Sequence, residues 1–65
     1  RLGANLRRLR KARGLSQEEL AHAADLSQHY LSQVEQGERN VSVLALRSLA
    51  RALSVGIADL FENLG

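Results

Sequence analysis

The stretch "LSQHYLSQVEQG", residues 26–37, carries many hydrogen-bonding side chains and a single charged residue, Glu35. In a helix, about 100° of rotation per residue would place Tyr30, Leu31 and Val34 on one side. The opposite side would be an uncharged polar ridge made of Gln28, His29, Ser32, Gln33 and Gln36. This polar ridge can form directed hydrogen bonds with a partner.

An ordinary solvated helix face is richer in Glu and Lys, which pair across one turn of the helix. The polar ridge has neither residue type. A surface that lies between phosphate groups must avoid carboxylates, and a surface that recognises base edges needs fixed donors and acceptors. A glutamine amide supplies both, and it matches N6 and N7 of adenine with two hydrogen bonds. The residue types therefore favour direct contact with DNA bases.

Ser27 and His29 of this stretch, with Asp25 just before it, have the side chains of a hydrolytic triad. They crowd one tight corner and a surface helix, where so small a domain has no room for a sheltered pocket or an oxyanion hole. The chain has two His and no Cys, and no helical cluster of His with carboxylates. We therefore predict that the protein is not an enzyme and that it uses no metal or other cofactor.

The composition indicates one small helical domain. The chain has 65 residues, 45% of them hydrophobic, with no Pro and with Tyr30 and Phe61 as its aromatic residues. No apolar run approaches the roughly 20 residues of a membrane-spanning helix, and no signal peptide is recognisable. We expect a soluble protein of the cytoplasm that associates with the nucleoid and not with a membrane. Because the chain lacks Met even at position 1, we expect residues 1–65 to be a single domain cut from a longer chain, with a sensor domain as a candidate for the missing part.

Hydrophobic spacing predicts helices along the whole chain. Helix 1 places Leu2, Leu6, Leu9 and Ala12 inward and ends at Gly14, a residue suited to a left-handed cap. The basic residues of its outer face are Arg7, Arg8, Lys11 and Arg13. The net charge is only +2, and a basic face of this kind is more often solvated than bound to a partner.

Helices 2 and 3 are short and close together. Helix 2 starts at Ser16 or Gln17, because Ser16 and Glu19 have the spacing of a capping box, and its pattern is lost at Asp25. Helix 3 covers residues 27–36, with Ser27 as its cap. The few residues between these helices predict a sharp corner.

Two further helices complete the pattern. Ser42 is placed to cap helix 4, which ends near Ser54. Helix 4 carries Leu46, Leu49, Ala50 and Leu53 on one side, and the spacing of Ile57, Leu60, Phe61 and Leu64 predicts a short helix 5. The predicted fold class is all-α, a compact bundle of five helices.

Residues 17–36, "QEELAHAADLSQHYLSQVEQ", resemble the helix-turn-helix of the phage-repressor or Cro-like family, and the likeness extends over nearly the whole chain. In that family a small residue at the fifth position lets the two helices touch, and the ninth position adopts a left-handed turn. Ala21 and Asp25 occupy these places. The apolar positions of the motif are filled by Leu20, Ala24, Leu26, Leu31 and Val34. The strings "RGLSQEELA" and "EQGERN" on either side also resemble the family.

The chain departs from the family pattern at several positions. Asp25 stands where Gly is usual, although Asp enters the left-handed region more easily than most residues. Val41, Ser54 and Gly56 stand where Pro, Gly and a capping Ser are common. These departures affect the expected ends of helices 4 and 5 and leave the corner intact.

The resemblance implies a lambda-repressor-like DNA-binding domain of a transcriptional regulator. Helix 3 would lie in the major groove of double-stranded DNA. Two copies would bind a palindromic operator as a two-fold dimer, with half-sites about 34 Å apart. The predicted base-reading residues are Gln28, His29, Ser32 and Gln33, with a contact to the DNA backbone as the alternative for Ser32.

Phosphate contacts are predicted at the rim of this surface. The helix starts at Ser16, Gln17 and Ser42 offer backbone N–H groups and the positive end of a helix dipole. Ser27 is expected to cap helix 3 first and to contact phosphate second. The resemblance adds a backbone clamp made of Gln36, Arg39 and Asn40.

The resemblance also implies a semi-buried ion pair between Arg10 and Glu35, which would fix the tilt of helix 3.

The candidate dimer residues are Leu60, Phe61 and Leu64, although Phe61 fits an ordinary core position equally well, and a missing domain is another candidate for the dimer contact.

Two alternatives use the same scaffold. In the first alternative, the domain is a protein-interaction module of an antitoxin or anti-repressor. An exposed apolar helix 5 is compatible with both this role and DNA binding. The uncharged polar ridge favours DNA. RNA is disfavoured because single-strand readers commonly stack bases on aromatic side chains, and this chain has two.

Overall fold

The computed structural model describes residues 2–61, and these residues form helices and turns without a strand. The helices are α1 (Leu2–Ala12), α2 (Gln17–Ala23), α3 (Gln28–Glu35), α4 (Val43–Leu53) and α5 (Ile57–Leu60). The predicted all-α class and the order of the helices are confirmed. Leu64, which the sequence assigns to helix 5 and to the candidate dimer surface, lies outside the described residues.

Serine caps start three of the helices where the sequence predicts them. Ser16 Oγ accepts from the Glu19 N–H at 3.0 Å, and the Ser16 N–H donates to Glu19 Oε1 at 2.8 Å, which completes a capping box. Ser27 Oγ accepts from the N–H of Tyr30 at 3.0 Å, and Ser42 Oγ accepts from the N–H of Ala45 at 3.1 Å. Each cap satisfies one of the N–H groups that a helix start leaves without an internal partner.

The first four helices end in the same way, with one residue in the left-handed region. These residues are Gly14, Asp25, Gly37 and Ser54, with φ values of 70°, 59°, 77° and 57°. At the corner between α2 and α3, the Asp25 N–H donates to the His22 carbonyl at 3.1 Å and the Leu26 N–H to the Ala21 carbonyl at 2.8 Å. This pair of bonds defines a Schellman motif, which satisfies two carbonyl groups at the helix end. The left-handed turn predicted at Asp25 is confirmed.

Leucines form the centre of the core. The fully buried large side chains are Leu6, Leu20, Leu31, Leu49, Leu53 and Leu60. The assignment of Leu60 to a dimer surface is therefore wrong, because Leu60 packs inside its own domain with no exposed area. Ala12 was expected to face inward and is exposed.

Two small or polar residues of α1 hold it against the rest of the domain. The Asn5 amide donates to the carbonyl oxygen of Leu60 at 3.1 Å, which joins α1 to α5. Gly3 is buried, and a Cβ atom built on it would collide with the carbonyl oxygens of Val34 and Glu35. The absence of a side chain at Gly3 therefore allows α1 to approach the backbone at the end of α3.

Candidate nucleic-acid interface

The polar ridge lies on the outer side of α3. Leu31 and Val34 are buried, at 0% and 2% exposure, and Tyr30 is half-buried. On the opposite side, Gln28, His29 and Gln36 are exposed and Ser32 and Gln33 are half-buried. The helix therefore divides its apolar and polar side chains as the sequence pattern predicts, and the ridge is accessible to a large partner.

Glu35 points away from the ridge and into a buried hydrogen-bonded cluster. The Arg10 guanidinium donates to both carboxylate oxygens, from Nε to Oε2 at 2.8 Å and from Nη2 to Oε1 at 3.1 Å. The two side chains are only 10% and 3% exposed, and Arg10 Nη1 also donates to the Leu15 carbonyl at 2.9 Å. The predicted ion pair is present. The one acidic residue of α3 is thus neutralised and kept away from the surface that would meet phosphates.

Gln17 completes this cluster from α2. Its amide nitrogen donates to Glu35 Oε1 at 3.1 Å, and its side chain is half-buried. Glu35 therefore joins α1, α2 and α3 at one point. One amide N–H of Gln17 is thus used inside the domain, whereas its backbone N–H has no acceptor within residues 2–61 and is the better candidate for a phosphate contact.

The helix starts offer fewer N–H groups to phosphate than the sequence indicates. The prediction that Ser16 contributes a free backbone N–H is wrong, because Glu19 accepts from it. The Ser42 N–H is occupied as well, since it donates to the Tyr30 hydroxyl at 3.2 Å. Within residues 2–61, the N–H groups of Gln17 and Glu18 lack an acceptor at the start of α2.

Arg39 contacts the polar ridge directly. Its Nε donates to Gln33 Oε1 at 2.9 Å, and its guanidinium carbon lies 5.5 Å from the centre of the Tyr30 ring. Both contacts bring the loop after α3 back onto the helix. The sequence resemblance assigns Arg39 to a backbone clamp and gives no sign of these contacts, since they depend on how the chain turns at Gly37.

Gln36 and Glu38 also interact beside the ridge. With its amide turned so that the nitrogen faces the carboxylate, Gln36 donates to both oxygens of Glu38, at 3.0 and 3.3 Å. This orientation is chemically favoured, because a carboxylate only accepts hydrogen bonds. The other orientation gives a longer contact of 3.4 Å from the amide nitrogen to Ser32 Oγ. A phosphate that approaches Gln36 would therefore also meet the negative charge of Glu38.

An open groove of about 800 Å³ lies between the α2–α3 corner and the start of α4. It brings together four of the predicted phosphate-contacting residues, Ser27, Arg39, Asn40 and Ser42, and places them beside Tyr30. Ser16 and Gln17 do not line this groove. The predicted phosphate contacts thus lie at this corner groove, at the start of α2 and, for Gln36, at the end of α3.

Comparison with known proteins identifies the architecture. Residues 1–64 match the family model described as "Helix-turn-helix domain". The chain belongs to the helix-turn-helix domain family. The phage-repressor or Cro-like resemblance is confirmed, and α2 and α3 are the two helices of the motif.

Relatives of this helix-turn-helix domain include regulators of gene expression. The uncharacterized HTH-type transcriptional regulator y4dJ of Sinorhizobium fredii is 46% identical over 59 residues, which cover 91% of this chain and 77% of the relative. The crystal structure of the restriction-modification controller protein C.AhdI from Aeromonas hydrophila superposes with a TM-score of 0.91 at 47% identity, and the match covers 92% of this chain and 91% of that one. The N-terminal DNA-binding domain of SinR from Bacillus subtilis gives a TM-score of 0.90 at 30% identity, with 97% and 93% covered. The family is non-enzymatic.

Among the residues described, no helix is long and apolar enough to cross a membrane.

Proposed function

We propose that this helix-turn-helix domain binds double-stranded DNA sequence-specifically as part of a transcriptional regulator, with α3 in the major groove. The observation that carries the proposal is the division of α3 into an uncharged outer ridge and an inner side that holds Glu35 at 3% exposure. A helix in the major groove meets base edges in front and phosphates on both flanks, so it needs hydrogen-bonding groups without exposed carboxylates.

Base contacts are assigned to Gln28, His29, Ser32 and Gln33. Gln28 and His29 lie in the first turn of α3 and are exposed. The N-terminal residues of a recognition helix are those that contact base edges in related docking geometries. Ser32 and Gln33 lie about one turn further along the same side, which extends the contact over neighbouring base pairs.

Phosphate contacts are assigned to the rim. The corner groove supplies Ser27, Arg39, Asn40 and the start of α4. The start of α2 supplies the N–H of Gln17 in place of that of Ser16. Backbone N–H groups at helix starts carry partial positive charge and suit phosphate oxygens.

We further infer that the domain acts as a two-fold dimer on a palindromic operator, with half-sites about 34 Å apart. Exposed apolar side chains support this assignment: Val43 and Phe61, which are 72% and 56% exposed, line one shallow cavity, and Ile57 is 40% exposed on α5. Phe61 is thus the retained dimer candidate, whereas Leu60 belongs to the core. A sensor domain elsewhere in a longer chain, and association with the nucleoid, are parts of the same proposal.

A selection from random duplex DNA at two salt concentrations tests the function. We expect enrichment of one palindromic sequence, and we expect its affinity to fall as salt rises, because phosphate contacts release counterions. Sedimentation of the protein with the selected duplex measures the number of domains bound. Equal competition by selected and scrambled duplexes would contradict sequence-specific binding.

A further inference from the structure

We propose that Arg39 is a specificity-determining residue, which occupies the amide oxygen of Gln33 and so directs Gln33 to guanine rather than adenine. This inference rests on the proposed function, since it concerns which base α3 recognises. It gives Arg39 a role beyond neutralising phosphate.

The first step is the orientation of the Gln33 amide. An amide has an oxygen that accepts and a nitrogen that donates, whereas a guanidinium only donates. The amide atom that faces Arg39 must therefore be the oxygen, and the Nε–Oε1 distance of 2.9 Å fits a good hydrogen bond. The amide nitrogen of Gln33 has no acceptor within residues 2–61, so its N–H groups remain for a ligand.

The second step is the position of Arg39. Its guanidinium lies against the half-buried ring of Tyr30, at 5.5 Å from the ring centre. The Tyr30 hydroxyl in turn accepts from the N–H of Ser42 at 3.2 Å, so the ring is tied to the start of α4. The Arg39 side chain is therefore guided to Gln33 by its contact with Tyr30, whose ring is itself held at the start of α4.

The third step is the charge of Arg39. Within the described part of the chain the one ion pair joins Arg10 to Glu35, and the neighbouring Glu38 is in contact with Gln36. Arg39 thus makes no ion pair within the described residues and places a positive charge at the edge of the ridge. It repels a further donor that approaches Gln33 Oε1 and attracts an acceptor.

These steps change the hydrogen-bonding pattern that Gln33 presents. A free glutamine offers one donor and one acceptor, which matches N7 and N6 of adenine. One lone pair of Oε1 is occupied, and the adjacent cation disfavours a further donor at that oxygen, so Gln33 and Arg39 together present mainly donors. The major-groove edge of guanine carries two acceptors, O6 and N7, and no donor, whereas adenine presents its N6 amino group as a donor. The pair therefore complements guanine and is unfavourable for adenine.

The test measures base preference at one position of the selected operator. Gln33→Ala first locates that position as the base pair whose preference is lost. The duplex is then prepared with each of the four base pairs there, and binding is measured for the unmodified domain, Arg39→Ala, and the double variant Gln33→Ala/Arg39→Ala. Arg51→Ala is the matched control, because it removes an exposed guanidinium on α4 and leaves the ridge unchanged.

We expect the unmodified domain to prefer guanine over adenine, and Arg39→Ala to reduce this ratio by about tenfold. Ratios at the base pairs recognised by Gln28 should not change. In the Gln33→Ala background, removal of Arg39 should leave the base ratios unaltered. Arg51→Ala should weaken binding to all four duplexes by the same small factor.

Three results would overturn the inference: an adenine preference in the unmodified domain, equal weakening of all four duplexes by Arg39→Ala, or no base preference lost in Gln33→Ala. In these cases the domain would still select one sequence over scrambled DNA, so the proposed function would stand. If the unmodified domain selects no sequence, both proposals fail together. Thermal unfolding of each variant verifies that an exposed substitution has not unfolded the domain.

Discussion

The two sides of α3 each hold an arginine against an acceptor, but they do so in different surroundings. On the inner side, Arg10 makes two charged hydrogen bonds to Glu35, and both side chains are nearly excluded from solvent. On the outer side, Arg39 makes one hydrogen bond to the neutral amide of Gln33 and is itself exposed. Burial holds the inner pair in place, and the pair in turn holds α3 against α1. The outer pair is open to exchange with a ligand, as recognition requires.

The difference predicts that substitutions on the inner side change stability and those on the outer side change binding. The largest effect is expected for Arg10→Ala, which leaves the Glu35 carboxylate buried without its cation. Removal of one partner from a buried pair costs about 3–5 kcal/mol, against a total stability on the order of 3–10 kcal/mol for a chain of this length. Urea unfolding, with a stabilising osmolyte if needed, measures the loss.

The double variant Arg10→Met/Glu35→Leu is the control for this prediction. It removes both charges and replaces them with apolar side chains, so its loss of stability should be well below the sum of the two single losses. Additive losses would mean that the two residues are not coupled. The distinction between a structural inner side and a binding outer side would then lack its main support.

Gly3→Ala tests the inner side by sterics instead of charge. The new Cβ would collide with the carbonyl oxygens of Val34 and Glu35, which belong to the backbone and cannot rotate away. We expect a loss of about 1–3 kcal/mol and weaker DNA binding, because the end of α3 must shift. Thermal and urea unfolding measure the first effect, and titration with the selected duplex measures the second.

Gly56→Ala is a suitable control for Gly3→Ala. A Cβ at Gly56 would meet Asp59 Oδ2 at 3.5 Å, an ordinary contact, and the backbone φ of −79° is open to any residue. This variant should be as stable as the unmodified domain. Equal stability of the two alanine variants would show that α1 does not need the close approach at Gly3.

Gln28→Ala addresses the outer side. Its side chain is exposed and makes no hydrogen bond within residues 2–61, so folding stability should not change. Binding to the selected duplex should weaken by about 1–2 kcal/mol, with relaxed preference at one base pair. A loss that is equal on all sequences would instead identify Gln28 as a phosphate contact.

The sequence predicts the helix caps of this fold better than the contacts between segments that are distant in the chain. Capping by Ser16, Ser27 and Ser42 depends on a few neighbouring residues, and the structure confirms each cap. The burial of Leu60 depends on where α5 packs against other helices, which its own spacing of apolar residues does not specify.

The same difference appears in the candidate site. The outer position of Gln28 and Gln33 follows from the helical period, and the pairing of Arg10 with Glu35 was inferred from the family resemblance. The bond from Arg39 to Gln33 and that from Ser42 to Tyr30 could not be predicted, because they form only after the loop folds back onto α3. The occupied N–H of Ser16 was foreseeable, since the capping box that the sequence predicts already consumes it.

The smallest effect is expected at the corner that separates the two helices of the motif. Asp25 has a φ of 59°, and its exposed side chain makes no hydrogen bond within the described residues. Gly adopts this conformation without steric strain but is more flexible in the unfolded chain, and the two effects partly offset each other. We expect Asp25→Gly to raise the free energy of unfolding by about 0.5 kcal/mol.

Asp25→Asn is the control: it removes the same charge, yet keeps a side chain that tolerates the left-handed region. An increase in DNA affinity shared by both variants would be electrostatic, because Asp25 lines the corner groove. A gain in stability confined to Asp25→Gly would show that the gain comes from relief of strain in the backbone. A loss of stability in that variant would show that the Asp25 side chain itself supports the corner.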